Sequence, residues 1–310
     1  MNTDFRPDVI SIIIPCYNCQ NFLSVCLDAL LRQTCNPKKM ELILVNDGSS
    51  DSTWKIINDY EDIFRQKGAD FIKINQKNAG VGAAVNAALK YVSGEFFVWQ
   101  DPDDFYEPDA LEKLHSYLKS HEHIGFVRGE VNFRAENEPE KVMRVGRSSQ
   151  TQSRDIGKDL MLRRDMYCMA GCFMGRSAVF FEYNQGRGIS ASRAGQNFQL
   201  LLPFVAAGDC GYLQEVVLNC LVRSASLSHA RKSIPQSIRQ KQEYLRILRY
   251  TFQKIKMPEN RKKELFALAN GKYTPKIRRL KFKLLMQWLF FKNKELRLAE
   301  LIRLIFDDID

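Results

Sequence analysis

Four short apolar runs open the chain: Val9 to Pro15 (VISIIIP), Glu41 to Val45 (ELILV), Phe71 to Ile74 (FIKI) and Glu95 to Gln100 (EFFVWQ). Between and after them, Asn21 to Gln33, Ser52 to Gln66, Val81 to Val92 and Pro108 to Lys119 repeat their apolar residues every three or four positions, the period of a helix with one buried face. Strands that alternate with helices pair in parallel, and near-continuous apolar strands such as SIII imply burial on both faces. The pattern predicts an α/β fold with a Rossmann-like, mixed, mainly parallel sheet and helices on both faces. Over residues 120 to 230 the apolar runs are shorter (Ile124 to Arg128, Met169 to Met174, Tyr212 to Val222), and they read as further strands and loops completing the sheet. From about Ile234 strand signals vanish, and Pro235, Pro258 and Pro275 fall near the starts of three expected helices. In the third, Ile277, Leu280, Leu284, Trp288 and Phe291 form an apolar stripe beside Lys276, Arg279 and Lys283.

The 310 residues are enough for about two domains or for one large unit with an appendage. The expected division is 1–230, with halves 1–105 and 106–230, followed by a helical region 231–310. Charge is unevenly placed. Residues 231–310 hold 21 Lys+Arg and 8 Asp+Glu, a net of +13, so the first 230 residues carry −3 of the overall +10. A nearly neutral main domain argues against a nucleic-acid-binding core, and the basic tail carries its aromatics on an apolar helical face instead of interleaving them with its cations along a groove. The basic helical region reads either as a solvated face or as a contact with an anionic membrane surface. The opening MNTDFRPDVI lacks an apolar stretch behind a basic start, so the chain is expected in the cytoplasm, at most peripheral to the inner face of the membrane. Its eight cysteines are then expected as reduced thiols, and C-x-x-C at Cys16 and Cys19 has no second pair to complete a zinc site.

Polar residues gather where each of the four leading strands ends. Pro15-Cys16-Tyr17-Asn18 follows the first, Asn46 to Asp51 the second, Asn75 to Gly80 the third and Asp101-Pro102-Asp103-Asp104 the fourth. In an open parallel sheet ligands bind beyond the carboxyl ends of the strands, so the four clusters are expected to line one cleft. Tyr17 offers a ring on which a base can stack. Asp47 offers an acceptor for a base N–H or a ribose hydroxyl, or else is a turn residue. Gly80 and Gly82 before a helix would let backbone approach phosphate. Asp101 and Asp103, two apart in an extended segment, would share a face with Asp104 turned elsewhere, and paired hard oxygens suit Mg²⁺ or Mn²⁺. No G-x-G-x-x-G follows the first strand, which argues against a dinucleotide site.

The succession SIIIPCYN, ELILVNDGSSDST, NAGVGAAVNAALKYVSGE and DPDD resembles the family 2 glycosyltransferases of the GT-A fold, bacterial enzymes that build surface polysaccharides. The likeness covers residues 9 to 125 strongly and 160 to 230 weakly. It implies that Pro15, Tyr17, Asn18 and Asp47 hold the nucleotide of a nucleotide sugar, most simply a uridine diphosphate sugar. It implies that Asn78 and Gly80 border the donor and that Asp101 and Asp103 hold the divalent metal on the diphosphate, with Asp103 essential to catalysis. The acceptor would be a glycan or its lipid-linked precursor, and the displacement would invert the anomeric centre. Ser226-Leu227-Ser228-His229 resembles the segment ending the catalytic domain, which makes His229 a further candidate at the metal.

The family pattern has Glu-Asp at the start of a helix after the acceptor loop, the Asp being the base, whereas this chain has Gln196-Asn197. A neutral amide is not a general base. Three explanations stay open: an acceptor already ionised, another carboxylate such as Asp165, Glu182 or Asp209, or a chain that binds donor without turnover and acts as a scaffold for a membrane or an acidic partner. Val85 stands where members often carry Arg, and Asn46 where many carry Asp. A nucleotidyltransferase is disfavoured, because PCYNCQN has no glycine, arginine or lysine to cradle a triphosphate.

Overall fold

A computed structural model describes residues 4–146, 155–162, 169–192, 195–222, 232–291 and 302–305. In chain order the elements are β1 (Arg6–Cys16), α1 (Leu23–Leu31), β2 (Met40–Asp47), α2 (Thr53–Gln66), β3 (Asp70–Gln76), α3 (Val81–Leu89), β4 (Gly94–Trp99), β5 (Phe105–Tyr106) and α4 (Ala110–Ser120). They continue with β6 (Phe126–Ala135), β7 (Glu138–Gly146), α5 (Ile156–Leu162), β8 (Phe173–Arg176), α6 (Ser177–Tyr183), α7 (Gln196–Ala207), β9 (Cys210–Val222), α8 (Ile234–Lys254) and α9 (Glu259–Phe291).

The strands form one sheet in the order β3-β2-β1-β4-β8-β6-β9-β5, with β7 paired to β6. The first four are mutually parallel, as their crossover helices require. β8 then runs antiparallel to β4 and to β6, and β9 returns parallel to β6, which makes the sheet mixed. Burial explains the strand compositions. All eight residues of β2 are buried, whereas edge strand β3 leaves Lys73 and Asn75 exposed, charged and polar positions that blunt an open edge.

The first half of the chain matches the expected elements to within a few residues, and the second half departs from them. Met169 to Met174 yields strand only from Phe173, and α5 and α6 had no sequence signal. Each has seven residues, too few to display a helical period. Phe180 of α6 packs against Phe97 and Phe204, with ring centroids 5.1 and 5.8 Å apart, so tertiary contact holds that helix. Of the three expected C-terminal helices, Pro235 and Pro258 do fall at helix starts. Pro275 instead lies inside the continuous 33-residue α9, where it is solvent-facing while Tyr273 and Ile277 are buried on the opposite side. Packing of that buried side outweighs the lost backbone hydrogen bond, a cost of about 3 kcal/mol.

One hydrophobic cluster runs from the sheet into the C-terminal helices, including Ile12, Phe97 and Phe204 together with Leu245 and Leu248 of α8 and Ile277 and Leu284 of α9. The basic region is therefore layered onto the core of the sheet. Ser233 caps α8 through a capping box with Gln236, which satisfies orphan backbone donors at both positions. No helix among the described residues is long and apolar enough to cross a membrane.

Candidate functional site

The loops that leave β1, β2 and β3 are tied to one another by hydrogen bonds at the upper edge of the sheet, and the loop after the parallel β4 leaves at the same edge. After Cys16 the chain turns through Tyr17, 52% exposed, and Asn18, whose φ of +47° is a left-handed conformation that Asn tolerates. The Asn18 backbone N–H donates to Ser49 Oγ at 3.0 Å, and its side-chain Oδ1 accepts from the Ser50 backbone N–H at 2.9 Å. Cys19 N–H donates to Thr53 Oγ1 at 2.9 Å. The side chain of Asn18 thus locks the first loop to the second and leaves the Tyr17 ring open to solvent.

Asp47, at the end of β2 and 3% exposed, joins the second loop to the third. Its Oδ1 accepts from Gln76 Nε2 at 2.7 Å and from Ala79 N–H at 2.9 Å, and its Oδ2 accepts from Gly80 N–H at 2.8 Å. A carboxylate has about four acceptor positions, so one remains on Oδ2 for a ligand donor. Gly48 has φ +69°, and a Cβ there would stand 2.5 Å from the backbone nitrogen of Asn78, so only glycine lets the two loops meet. Gly80, at φ +92°, is held by its N–H to Asp47 and starts α3. Gly82, expected to face phosphate, is pressed instead against protein: a Cβ there would lie 2.3 Å from the Ser190 carbonyl oxygen and 2.9 Å from that of Ser192.

Asp101 to Asp104 form a turn closed by Asp104 N–H on the Asp101 carbonyl at 3.2 Å, not the extended segment expected. The turn corrects the reading of Asp104. A carboxylate oxygen from each of Asp101, Asp103 and Asp104 lies within 4.8 Å of the other two, so Asp104 joins the pair and does not turn away. Asp104 is 3% exposed, and its Oδ1 accepts the Leu221 backbone N–H at 3.1 Å. Burial, reinforced by the charges of Asp101 and Asp103, holds its carboxyl well above the usual carboxylate range. Three hard oxygen donors crowded in this way fit Mg²⁺ or Mn²⁺ and not a soft thiophilic ion. The link from Asp104 to Leu221 spans 117 positions, so no local pattern could have announced it.

A further feature had no motif behind it. Asn86 Nδ2 donates to the Ile189 carbonyl and Asn86 Oδ1 accepts the Ile189 N–H, both at 2.8 Å, fastening residues 188–192 across α3. Gln199 of α7 accepts Ser190 N–H at 2.7 Å from the other side. Gly195 at φ +71° starts α7, whose first residues are Gln196 and Asn197, and the following Phe198 packs on Tyr244 of α8 at 4.7 Å between ring centroids.

Two alternative carboxylates lie at the wrong end of the sheet. Glu182 pairs with Lys256 at 2.6 Å and lines a cavity of about 730 Å³ with Phe5, Leu89 and Phe181, beside the amino ends of β1 and β4. That cavity is therefore remote from the aspartate turn. Asp209 precedes Cys210, which pairs with Phe126 at the start of β6, again at the lower edge. Asp165 and the segment Ser226 to His229 lie outside the described residues.

The same fold occurs in solved structures. Staphylococcus aureus TarS 1-349 in complex with UDP-GlcNAc has a TM-score of 0.66 at 16% identity, covering 96% of this chain and 79% of that one. The mannosyltransferase PcManGT from Pyrobaculum calidifontis, in complex with GDP-Man and Mn²⁺, has a TM-score of 0.57 at 17% identity, covering 87% and 71%. The fold class is thus GT-A, a mostly parallel α/β sheet with C-terminal helices added. In sequence, the pattern of glycosyl transferase family 2 matches residues 11–183, and the chain belongs to that family. Glycosyltransferase GlyA of Streptococcus pneumoniae is 36% identical over 111 residues, and the poly(ribitol-phosphate) beta-glucosyltransferase of Bacillus spizizenii is 34% identical over 113. Each match covers 36% of this chain but only 15% and 18% of those longer relatives.

Proposed function

We propose that the chain transfers a sugar from a nucleoside diphosphate donor to a glycan or lipid-linked acceptor, inverting the anomeric centre. The observation that carries the reading is that the loops after β1, β2 and β3 are joined at one sheet edge, with an open aromatic ring on the first, and that the crowded carboxylate turn after β4 leaves at the same edge. Structural neighbours bound to UDP-GlcNAc and to GDP-Man with Mn²⁺ support a donor of this class, uridine diphosphate sugars first. In this reading Tyr17 stacks the base, Asp47 accepts a base or ribose donor through its remaining position, and Pro15 and Asn18 shape the loop. Asn78 and Gly80 border the sugar. Asp101 and Asp103, backed by Asp104, hold Mg²⁺ or Mn²⁺, which supplies positive charge to the departing diphosphate. Residues 1–105 form the donor half, 106–230 the acceptor half, and His229 is kept as a further metal candidate.

The test is a melting panel with uridine, guanosine and thymidine diphosphates, with and without Mn²⁺, because a ligand specific to the folded state raises its melting temperature. A metal-dependent rise with one base supports the reading; no rise with any of them removes it. Donor binding without turnover is a second reading, favoured by the amides Gln196 and Asn197, and a wild type that binds nucleotide yet never releases it from a nucleotide sugar would establish it.

The basic helices give the protein a second partner in this reading, an anionic membrane surface at the inner face of the cell. Lys272, Lys276, Arg278, Arg279, Lys281 and Lys283 occur between Leu265 and Leu289 with no acidic residue among them. On the outer side of α9, Phe282 is 64% exposed beside Arg278, Arg279 and Lys283, and Leu289, two turns further on, is 52% exposed. Exposed apolar side chains flanked by cations match a lipid headgroup boundary, each nearby cation adding about 1 kcal/mol. Full-length protein should sediment with phosphatidylglycerol-containing vesicles, and the double variant Phe282→Ser, Arg279→Glu should stay in solution.

A further inference from the structure

An acceptor hydroxyl that attacks an anomeric carbon must lose its proton, and the amides that open α7 take none. Most carboxylates at the upper edge are already committed: Asp47 to three donors, Asp51 to Thr53 and Gln20 N–H groups, and Asp101, Asp103 and Asp104 to one another. Glu243 of α8 also has donors on both oxygens, but it lies outside the aspartate turn and beside the segment that packs on the start of α3. Its side chain is one-third exposed, its Oε1 accepts from Ser192 Oγ at 3.0 Å, and its Oε2 accepts from Arg246 Nη1 at 2.6 Å.

Ser192 links that carboxylate to the start of α3. The Ser192 carbonyl stands 2.9 Å from where a Cβ on Gly82 would be, and Gly82 is the second residue of α3, just past the Gly80 held by Asp47. One residue therefore separates Glu243 from the helix start that borders the donor. On the other flank the adjacent Tyr244 packs on Phe198, next to Asn197. Segment 188–192 between them is clamped by Asn86 and Gln199, so the carboxylate rests on a fixed support, as a precise site requires.

We infer that Glu243 is the general base of the transfer, supplied from the C-terminal helical region. This rests on the transferase reading above. In the step, the acceptor O–H proton passes to a Glu243 carboxylate oxygen and the acceptor oxygen bonds to the anomeric carbon. The bond from that carbon to the diphosphate oxygen breaks, and its electron pair leaves with the nucleoside diphosphate.

The test uses the full chain, UDP-glucose, UDP-GlcNAc and GDP-mannose as donors, and water as the acceptor, with release of nucleoside diphosphate as the signal. Glu243→Gln keeps the size and an acceptor for Ser192 but cannot take a proton. It should lower turnover about 10² to 10⁴-fold while the Mn²⁺-dependent melting shift with the nucleoside diphosphate persists. Adding Asn197→Asp, which places a carboxylate beside the same support, should recover turnover at least about tenfold in that background. Turnover in Glu243→Gln within about threefold of wild type, set against that expected loss, overturns the assignment and leaves the transferase reading intact. Loss of the nucleotide melting shift in that variant overturns it too, by making Glu243 a structural prop. A wild type that binds nucleotide but consumes no donor removes the transferase reading itself, and the base with it.

Discussion

The two edges of the sheet handle charge in opposite ways. At the lower edge opposite charges meet: Asp8 with Lys119 at 3.1 Å and Lys39 at 3.4 Å, Arg6 with Asp70 at 2.5 Å, Arg176 with Glu95 at 3.3 Å. At the upper edge like charges are pressed together, with three carboxylates inside 4.8 Å and one of them buried. The lower arrangement serves folding. The upper one costs folding energy in the absence of a cation; in the proposed function it is the place kept for one, where local rules are expected to be broken. The cavity of about 730 Å³ beside Glu182 is at the lower edge, away from the aspartate turn.

The contrast can be broken most forcefully at Asp103. Asp103→Asn should cut turnover about 10³-fold or more, since a bound ion contributes several kcal/mol to the transition state. The metal-free melting temperature of the same variant should be equal to or above that of wild type, because like-charge repulsion is relieved. Calorimetry with and without chelator reads both, and a lower metal-free melting temperature would contradict the account. Next in size is Tyr17→Ala, which removes a stacking surface worth about 1 to 3 kcal/mol per base. Titration calorimetry should show nucleoside diphosphate affinity falling about 5- to 150-fold with little change in melting temperature.

Effects at the lower edge should be smaller and confined to stability. Asp8 has φ +60°, a conformation Asn also accepts, so Asp8→Asn removes charge without disturbing backbone. The Lys119 hydrogen bond to Asp8, with Lys39 also contributing, holds that carboxyl below its ordinary value of 3.8. A lowered folded-state value means that the stabilisation is complete above the unfolded value and is lost as pH falls through the folded one. The group is over one-third exposed, so after solvent screening the variant should lose only about 0.5 to 1 kcal/mol at neutral pH. The difference should vanish in acid below the carboxylate range, as urea melts at both pH values would show. Least affected should be Glu182→Gln: an exposed pair with Lys256 at the lower edge leaves donor turnover at the wild-type level, and a loss there would put the base at the wrong edge after all.

The leading strands and helices were legible because their signals are local. Runs such as SIIIP and ELILV are buried on both sides, and α2 and α4 carry a one-sided apolar stripe, so period alone identifies them. That Tyr17, Asp47, Asp101 and Asp103 come to one edge was legible for a related reason: in a parallel α/β chain every strand end reaches the same edge, so reading strand ends amounts to reading that edge. Short α6 was not legible, nor was the passage of α9 through Pro275, since each depends on a partner elsewhere in the chain.

Residue order by itself determined the alternation of strands and helices, the edge at which the polar clusters collect, the oxygen-rich character of the aspartate turn and the basic surplus of the last eighty residues. Only the tertiary structure decided that Asp104 joins that turn, that Gly82 meets protein and not phosphate, that Glu182 and Asp209 are at the far edge, and that Glu243 rests beside Ser192. The physical reason is reach. Periodicity and strand-end chemistry act over a few residues, whereas these outcomes come from contacts such as Asp104 with Leu221 and Ser192 with Glu243, separated by 117 and 51 positions and brought together only when the sheet and its covering helices close on one core.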